Sequence, residues 1–264
     1  MQTLQTLSSY LKHKFSAIGR HDAHSPFLYD LIEKVFNSKN KYSKNFNVVE
    51  IEKLRKKLRA DHRMIDVQDL GAGSKVLDFK KRKISDISKV SLKKPKEALL
   101  LLRLSKYLKC TTIIELGTSL GITTLYLSES NLNCQVYTLE GCVETSEIAK
   151  THFDGFAKKN IHQLQGNFDV TLPQLLLSLP KVDMVLFDGN HARKPTIHYF
   201  NFCLEKINEQ TVFVFDDINW SHEMQDAWAE ICAHPRVSLS IDCWQMGMVF
   251  FHKNREKQHF KINC

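Results

Sequence analysis

Residues 111–127 read TTIIELGTSLGITTLYL and contain, in order, the signals of a strand, a glycine turn and a helix. The β-branched run 112–114 suits a strand that is buried on both faces. Glu115 is expected at the end of that strand. Gly117 and Gly121 then bracket a tight turn, and apolar residues follow at helical spacing. Ligands of α/β sheets bind just beyond the carboxyl ends of strands, so this turn is the first candidate for a cofactor site.

Beyond this stretch, segments of strand and helix character alternate along the chain. The predicted strands after the first are residues 135–139, 161–165, 182–187, 211–215, 237–241 and 246–252. The predicted helices are residues 143–156, 168–178, 192–207 and 221–233, and a further one begins at Pro95, before the glycine turn. Such alternation indicates an α/β fold with a doubly wound, mostly parallel sheet that helices cover on both faces. The last two strands are close in sequence and are expected to pair antiparallel.

The first part of the chain has a different character. Residues 1–94 are expected to form a mainly helical accessory region, and residues 95–264 the α/β domain. Helices are predicted at 2–15, after the cap Ser25 and Pro26, and at 48–63. The segment from Asp69 to Ser74, DLGAGS, resembles a nucleotide loop, but it lacks a strand before it and a helix after it, which favours a plain loop. Residues 83–94 are polar and are predicted to connect the two parts.

Acidic residues come at or directly after the ends of four predicted strands. They are Glu115, Glu140, Asp188 and the pair Asp216 and Asp217. If the strands are parallel, all of these acids lie along one rim of the sheet. Glu140 follows the glycine turn by roughly 20 residues in the sequence. This is the spacing of the acidic residue that binds ribose hydroxyls in dinucleotide-binding folds. The glycine spacing is G-x-x-x-G, which disfavours a pyrophosphate cradle and therefore a nicotinamide enzyme.

Five motifs in order carry a resemblance to a known family. ELGTSLGITT, YTLEG, QGNFD, VDMVLFDGNH and VFVFDDINW together resemble the motif set of class I S-adenosylmethionine-dependent methyltransferases. More narrowly, they resemble the small-molecule O-methyltransferases of the catechol and caffeoyl-CoA type and their bacterial sugar and antibiotic relatives. The resemblance covers about residues 95–252. It implies a Rossmann-like sheet of seven strands, the last two of which form a reversed hairpin.

The resemblance also implies a binding site for S-adenosylmethionine. Gly117 and Gly121 would let the backbone approach the methionine part of the cofactor, and Glu140 would hold the ribose. Other residues would border the adenine or face the reaction centre. The full set that the resemblance implies for the cofactor is Glu115, Gly117, Thr118, Ser119, Gly121, Glu140, Asn167, Phe168 and Asp188.

Catalytic and metal-binding roles follow from the same resemblance. Asp188, Asp216 and Asp217 match positions that bind a divalent cation in the metal-dependent relatives, and oxygen ligands suit Mg²⁺. Asp188 and His191 are the candidate catalytic residues. His191 stands where catechol-type enzymes carry a lysine base, and an imidazole has a suitable pKa for that task. The alternatives are that His191 caps the next helix or supports Asp188, and that the acids serve without a metal.

The composition indicates the cellular compartment but does not identify the molecule that accepts the methyl group. Seven cysteines without a C-x-x-C pair indicate reduced structural thiols in a cytoplasmic protein. We find neither a signal peptide nor an apolar run long enough for a membrane span, so no membrane partner is expected. A homodimer is compatible with the sequence but not specified by it.

The leading hypothesis is therefore methyl transfer to a small hydroxylated acceptor. Because the formal net charge is +8 and many basic residues lie in 39–96, an RNA methyltransferase is the first alternative. That region, however, has no evident RNA-binding motif. A cofactor-binding protein without catalysis is the second alternative, and a dehydrogenase is a distant third.

Overall fold

The computed structural model of the protein describes residues 10–11, 13–17, 25–38, 42, 44–68, 81–253 and 256–263. Ten strands are present in this part of the chain. They are β1 (Met64–Asp66), β2 (Lys81–Lys83), β3 (Thr112–Leu116), β4 (Gln135–Glu140), β5 (Ile161–Gln165), β6 (Met184–Phe187), β7 (Val212–Phe215), β8 (Leu239–Asp242), β9 (Gly247–Phe250) and β10 (Gln258–Lys261). The first two form a small antiparallel sheet, and the other eight form the central sheet.

The central sheet has the order β10-β8-β9-β7-β6-β3-β4-β5. Strands β3 to β7 are mutually parallel, whereas β9 is antiparallel to both β7 and β8. The doubly wound, mostly parallel architecture and the reversed hairpin are therefore confirmed.

The eighth strand, β10, extends the predicted seven-stranded sheet. It pairs parallel with β8 at the edge, and its residues QHFK are exposed or only half-buried. A short polar edge strand lacks the apolar pattern from which strands are predicted.

Nine helices lie wholly within the described residues, and residues 10–11 and 13–16 are helical as well. The nine helices are α1 (Pro26–Leu31), α2 (Phe46–Arg59), α3 (Ile84–Val90), α4 (Pro95–Tyr107), α5 (Ile122–Ser128), α6 (Val143–Gly155), α7 (Phe168–Ser178), α8 (Arg193–Leu204) and α9 (His222–Ala233). A single π-helical turn, Ile32–Phe36, continues α1. As predicted, Ser25 caps α1, because its Oγ accepts from the backbone N–H of Leu28. Helices α7, α8 and α9 pack on one face of the central sheet, and α1 and α4 pack on the other.

The N-terminal helices share their cores with the α/β domain. Leu28 and Leu31 of α1 pack in one apolar cluster with Leu101 of α4 and with the sheet. Ile51 of α2 packs in another cluster with Leu125 of α5. The division at residues 94/95 thus stays a prediction about domains, while the packing across it is continuous. The segment Asp69–Ser74 and most of the predicted helix at 2–15 lie outside the described residues.

The stretch at 83–94 differs from the predicted polar connector. Residues Ile84–Val90 form helix α3, and Ile84 and Ile87 on it are buried in the cluster that contains α2 and α5. The following loop carries Lys93 into the interior, where its side chain is only 3% exposed. This stretch is mostly charged and polar, and only Ile84 and Ile87 form the apolar face of the helix. The residue pattern alone therefore does not indicate a helix here.

Two further expectations concern membranes and thiols. None of the described helices combines the length and the apolar composition that crossing a bilayer requires. The six described cysteines are free thiols, and five of them are buried.

Two glycines in the same fold should respond oppositely to replacement by alanine. A Cβ at Gly247 of β9 would lie 2.6 Å from two atoms of the Trp228 ring, whereas a Cβ at Gly155 would meet nothing within 4 Å. We expect Gly247→Ala to lower the free energy of unfolding by about 1–3 kcal/mol through overpacking. Gly155→Ala should leave it unchanged or raise it by up to about 1 kcal/mol. Urea unfolding of both variants checks this, and equal effects would contradict the packing described.

Candidate functional site

The carboxyl ends of β3, β4, β6 and β7 lie side by side. Leu116, Phe187 and Phe215 stand next to one another across three paired strands. Asp188 and Asp216, which directly follow the last two of these residues, therefore leave the sheet at the same rim as the glycine turn. The structure thus brings together acids that are about 100 residues apart in the sequence.

The glycine turn needs its two glycines for backbone packing. Gly117 has φ +105°, and a Cβ there would lie 2.3 Å from the carbonyl oxygen of Asp188. Gly121 has φ +78°, and a Cβ there would lie 2.7 Å from the ring of Phe153. Ser119 between them is also left-handed, with φ 48°. These conformations disfavour side chains, so the turn passes close to both β6 and α6.

Glu140 closes over the glycine turn. One carboxylate oxygen accepts from the backbone N–H of Ser119 at 2.7 Å, and the other accepts from the N–H of Cys142 at 2.9 Å. Burial raises the pKa of Glu140, although the hydrogen bonds from backbone N–H groups oppose this shift. A carboxylate offers about four lone-pair sites. The Gly141 backbone N–H and the Thr145 hydroxyl also interact with this carboxylate, so several donors of the protein share its oxygens.

Glu115 is a buried acid beneath the same turn. The strand includes it and ends one residue later, so the predicted strand end is one residue short. Its Oε2 accepts from Thr124 at 2.5 Å and from Thr138 at 2.7 Å, while its Oε1 has no partner among the described residues. The Thr138 hydroxyl also lies 2.6 Å from that of Thr118. Burial raises the pKa of Glu115 to about 7 despite the two hydroxyl donors.

The predicted adenine-binding pair follows β5. The side chain of Asn167 caps α7, because its Oδ1 accepts from the backbone N–H of Asp169 at 2.9 Å. The ring of Phe168 meets Tyr199 edge to face, with centroids 5.9 Å apart. A Cβ at Gly189 would lie 2.9 Å from the Phe168 ring. Phe168 thus borders the loop that carries Asp188, while the side chain of Asn167 is used locally.

A lysine that the sequence analysis did not single out lies between two of the predicted metal ligands. The Nζ atom of Lys93 is 2.6 Å from Oδ2 of Asp216 and 3.1 Å from Oδ2 of Asp188. Both contacts are ion pairs between the lysine ammonium and a carboxylate. The side chains of Asp188 and Asp216 are 14% and 17% exposed, so neither carboxylate is fully shielded from solvent.

The charged groups in this cluster shift one another's pKa values. Burial opposes the charged form of Lys93, but Asp188 and Asp216 outweigh it and raise its pKa. Burial also opposes ionisation of Asp216, and the ammonium of Lys93 overcomes this and lowers the Asp216 pKa. At Asp188, burial and the neighbouring charge of Asp216 prevail over Lys93 and raise the pKa. Burial and the same charge raise the pKa of Asp217. Asp216 is thus the principal ionised partner of Lys93.

His191 lies at the edge of this cluster. It is half-buried, and its charged form would lower the pKa of both Asp216 and Asp217. Helix α8 has Ala192 at its cap position without a side-chain cap, so His191 does not cap this helix. No hydrogen bond joins its ring to another residue in the described part of the chain, which leaves both ring nitrogens available to a ligand.

The three acids do not fit a divalent cation in this arrangement. Such an ion needs carboxylate oxygens at about 2.0–2.6 Å, and the nearest oxygens of Asp188 and Asp216 already contact an ammonium. Within the described ranges, no group of three or more acidic, histidine or cysteine side chains has the geometry to hold a metal. Asp217, the third predicted ligand, has a left-handed backbone with φ 53°. We therefore assign no metal ion to this site.

Nothing in the sequence around Lys93 separates it from its neighbours. The run LKKPKE contains three lysines, and Lys94 beside it is 70% exposed. The only local signal is the position of Lys93 near the start of α4, since Pro95 marks a first helical residue. Its proximity to Asp188 and Asp216 depends on the tertiary packing of α3 and α4, which a residue pattern does not encode.

Comparison with known proteins agrees with the fold. A family model described as a methyltransferase domain matches residues 114–218. No curated protein sequence matches the chain.

Among solved structures, the SAH-bound Podospora anserina methyltransferase PaMTH1 is 13% identical with a TM-score of 0.61, and the match covers 89% of this chain and 100% of that one. A Bacillus cereus O-methyltransferase in complex with SAH is 16% identical with a TM-score of 0.55, covering 83% and 99%. The Streptomyces achromogenes O-methyltransferase TomG, involved in tomaymycin synthesis and in complex with SAM, is 18% identical with a TM-score of 0.53, covering 61% and 82%.

At these identities, the structural likeness establishes the fold. Within this fold, residues 114–218 are similar to a methyltransferase domain.

The buried Glu115 should give the unfolding free energy a recognisable pH dependence. Its pKa is raised from 4.5 to about 7 in the folded protein, so the folded state holds a proton that the unfolded state releases earlier. Stability should therefore fall, relative to Glu115→Gln, as the pH rises from about 4.5 to about 7, by up to about 3 kcal/mol. Above pH 7 the difference should level off. Urea unfolding of both proteins across this range provides the measurement, and parallel pH profiles would contradict the assignment.

Proposed function

We propose that this protein transfers the methyl group of S-adenosylmethionine to a hydroxyl oxygen of a small molecule. The observation that carries the proposal is the meeting of two features at one rim of the sheet. The glycine turn with Glu140 forms one half, and Asp188 with His191 forms the other. A cofactor on the first half would present its reactive group to an acceptor on the second.

The cofactor half has carboxylate acceptors that suit this ligand. Glu140 lies against the turn at Ser119 and Cys142, and the hydroxyls of a ribose would bind its oxygens by displacing a local donor such as the Thr145 hydroxyl. The unpartnered Oε1 of Glu115 lies beneath the turn and would accept from a donor on the amino-acid part. Phe168 would border the adenine. The contribution of Asn167 would come through its backbone, because its side chain caps α7.

The chemistry requires alignment and removal of one proton. S-adenosylmethionine supplies an electrophilic methyl group with its own leaving group. The rim residues would hold the acceptor oxygen in line with it, and such alignment can contribute about 7–11 kcal/mol to lowering the barrier. His191, with ring nitrogens that no described residue engages, would take the hydroxyl proton. Asp216 and Asp217 would stabilise the imidazolium that forms, since each interacts favourably with a charged His191.

Replacing Glu140 tests the cofactor half. Glu140→Ala removes the two predicted acceptors for ribose hydroxyls, and bonds to a charged acceptor contribute about 1.5–3 kcal/mol. We expect the affinity for S-adenosylhomocysteine, measured by calorimetry, to fall about 10- to 100-fold. Glu147→Ala on the exposed face of α6 is the matched control and should bind as the wild type does. Unchanged affinity in Glu140→Ala would remove Glu140 from the ribose site.

Replacing His191 tests the acceptor half. Loss of a general base lowers turnover by about 10²–10⁴-fold. We expect His191→Gln to show this loss in a radiolabelled methyl-transfer assay with a panel of small hydroxylated compounds, and to keep its affinity for S-adenosylhomocysteine. His198→Gln, at an exposed position of α8, serves as the control. Full turnover in His191→Gln would exclude the assigned base, and methylation of RNA but of no small compound would contradict the proposed acceptor class.

A further inference from the structure

The cation position at the acidic rim is already filled by a side chain of this protein. The ammonium of Lys93 lies within ion-pair distance of both Asp188 and Asp216, and its side chain is almost fully buried. A divalent ion that bridged these two carboxylates would compete with the ammonium for their Oδ2 atoms and would lie beside a positive charge. Lys93 and a bound metal are therefore alternatives at this place, not companions.

The backbone of Lys93 is held by a hydrogen bond from a buried arginine. Arg55 of α2, only 1% exposed, donates from Nη1 to the carbonyl oxygen of Lys93 at 2.6 Å. Its Nε also pairs with Glu52 at 2.8 Å, and the same oxygen of Glu52 accepts from the hydroxyl of Tyr126 on α5 at 2.8 Å. The loop that carries Lys93 is thus tied to α2 and, through Glu52, to the helix that follows the glycine turn. This anchoring distinguishes Lys93 from a surface lysine that has folded inward.

We propose that Lys93 replaces a divalent cation at the acidic rim. Its ammonium neutralises Asp216, positions the carboxylates of Asp188 and Asp216, and makes the site independent of added metal. Lys93 is a positioning residue, because its Nζ is buried and acts on an acceptor through the partly exposed carboxylates. Such a site holds a single hydroxyl by hydrogen bonding. It does not require the two adjacent oxygens that would chelate a metal ion.

Ion binding tests this inference independently of the enzyme's activity. We would titrate the full-length wild-type protein with Mn²⁺ and follow the loss of the free-ion signal by electron paramagnetic resonance. Wild type is expected to bind no Mn²⁺ at the rim. Stoichiometric binding that Asp216→Asn abolishes would overturn the proposal.

Removing the lysine should create the site that it replaces. Lys93→Ala leaves Asp188, Asp216 and Asp217 without their buried counter-charge, so this variant is expected to gain Mn²⁺ binding. At about 100 times the dissociation constant, Mn²⁺ should then raise its melting temperature by about 5 °C or more. The double variant Lys93→Ala/Asp216→Asn should lose this gain. The control is Lys94→Ala, which removes an exposed lysine from the adjacent position and should behave as the wild type does.

A purely structural lysine would give a different result. Its removal would destabilise the protein without creating affinity for a metal, so a folded Lys93→Ala variant that binds no Mn²⁺ contradicts the proposal. If Lys93→Ala yields no folded protein, stoichiometric Mn²⁺ binding at the rim of the wild type still overturns the proposal.

A methyl-transfer assay provides a further test, which rests on the proposed function. Methylation of a monohydroxylated acceptor by the wild type should proceed at the same rate in EDTA as in Mg²⁺. A rate that EDTA abolishes and Mg²⁺ restores would overturn the role of Lys93. Absence of methyl transfer in both conditions would instead contradict the proposed function, and the Mn²⁺ titrations would still test the ion site.

Discussion

A buried ammonium between two carboxylates is the interaction on which the organisation of this protein depends. Lys93 comes from the loop before α4, whereas Asp188 and Asp216 come from the ends of β6 and β7. Removing one partner of such a buried group leaves an uncompensated charge and costs about 3–5 kcal/mol. The same contact therefore joins the N-terminal part of the chain to the rim of the sheet and determines the charge of the site.

This contact gives the N-terminal helices a role beside the sheet. Helix α2 supplies Arg55, which holds the Lys93 carbonyl, and the apolar side of α2 packs against α5. The first turn of α5 follows Gly121, so the elements that position Lys93 also support the predicted cofactor turn. Lys93 and the glycine turn thus belong to one packed unit. Displacement of α2 would shift both Lys93 and the helix that follows the glycine turn.

Much of the fold could be predicted from the sequence because local patterns encode it. The buried strands β6 and β7 are short apolar runs bounded by polar turns. The predicted strand at 161–165 and the predicted helix at 168–178 have the bounds that the structure shows. Strand β10 was missed, since an edge strand with the residues QHFK lacks such a pattern. Helix α3 was missed because only Ile84 and Ile87 form its apolar face.

The site was predictable only in part, for a different physical reason. Acids at the ends of parallel strands meet at one edge by geometry, which is why Glu140, Asp188 and Asp216 could be grouped from the sequence. Lys93 could not, because its place depends on how a loop outside the sheet packs against it. The roles of the grouped residues stay predictions.

The most direct test of the account is a crystal structure of the wild type grown with S-adenosylhomocysteine and soaked in Mn²⁺, with anomalous data collected for manganese. We predict the ligand at the glycine turn with its ribose on Glu140, the Lys93 ammonium between Asp188 and Asp216, and no anomalous peak at the rim. An anomalous peak between these two carboxylates with Lys93 displaced, or the ligand bound elsewhere, would contradict it.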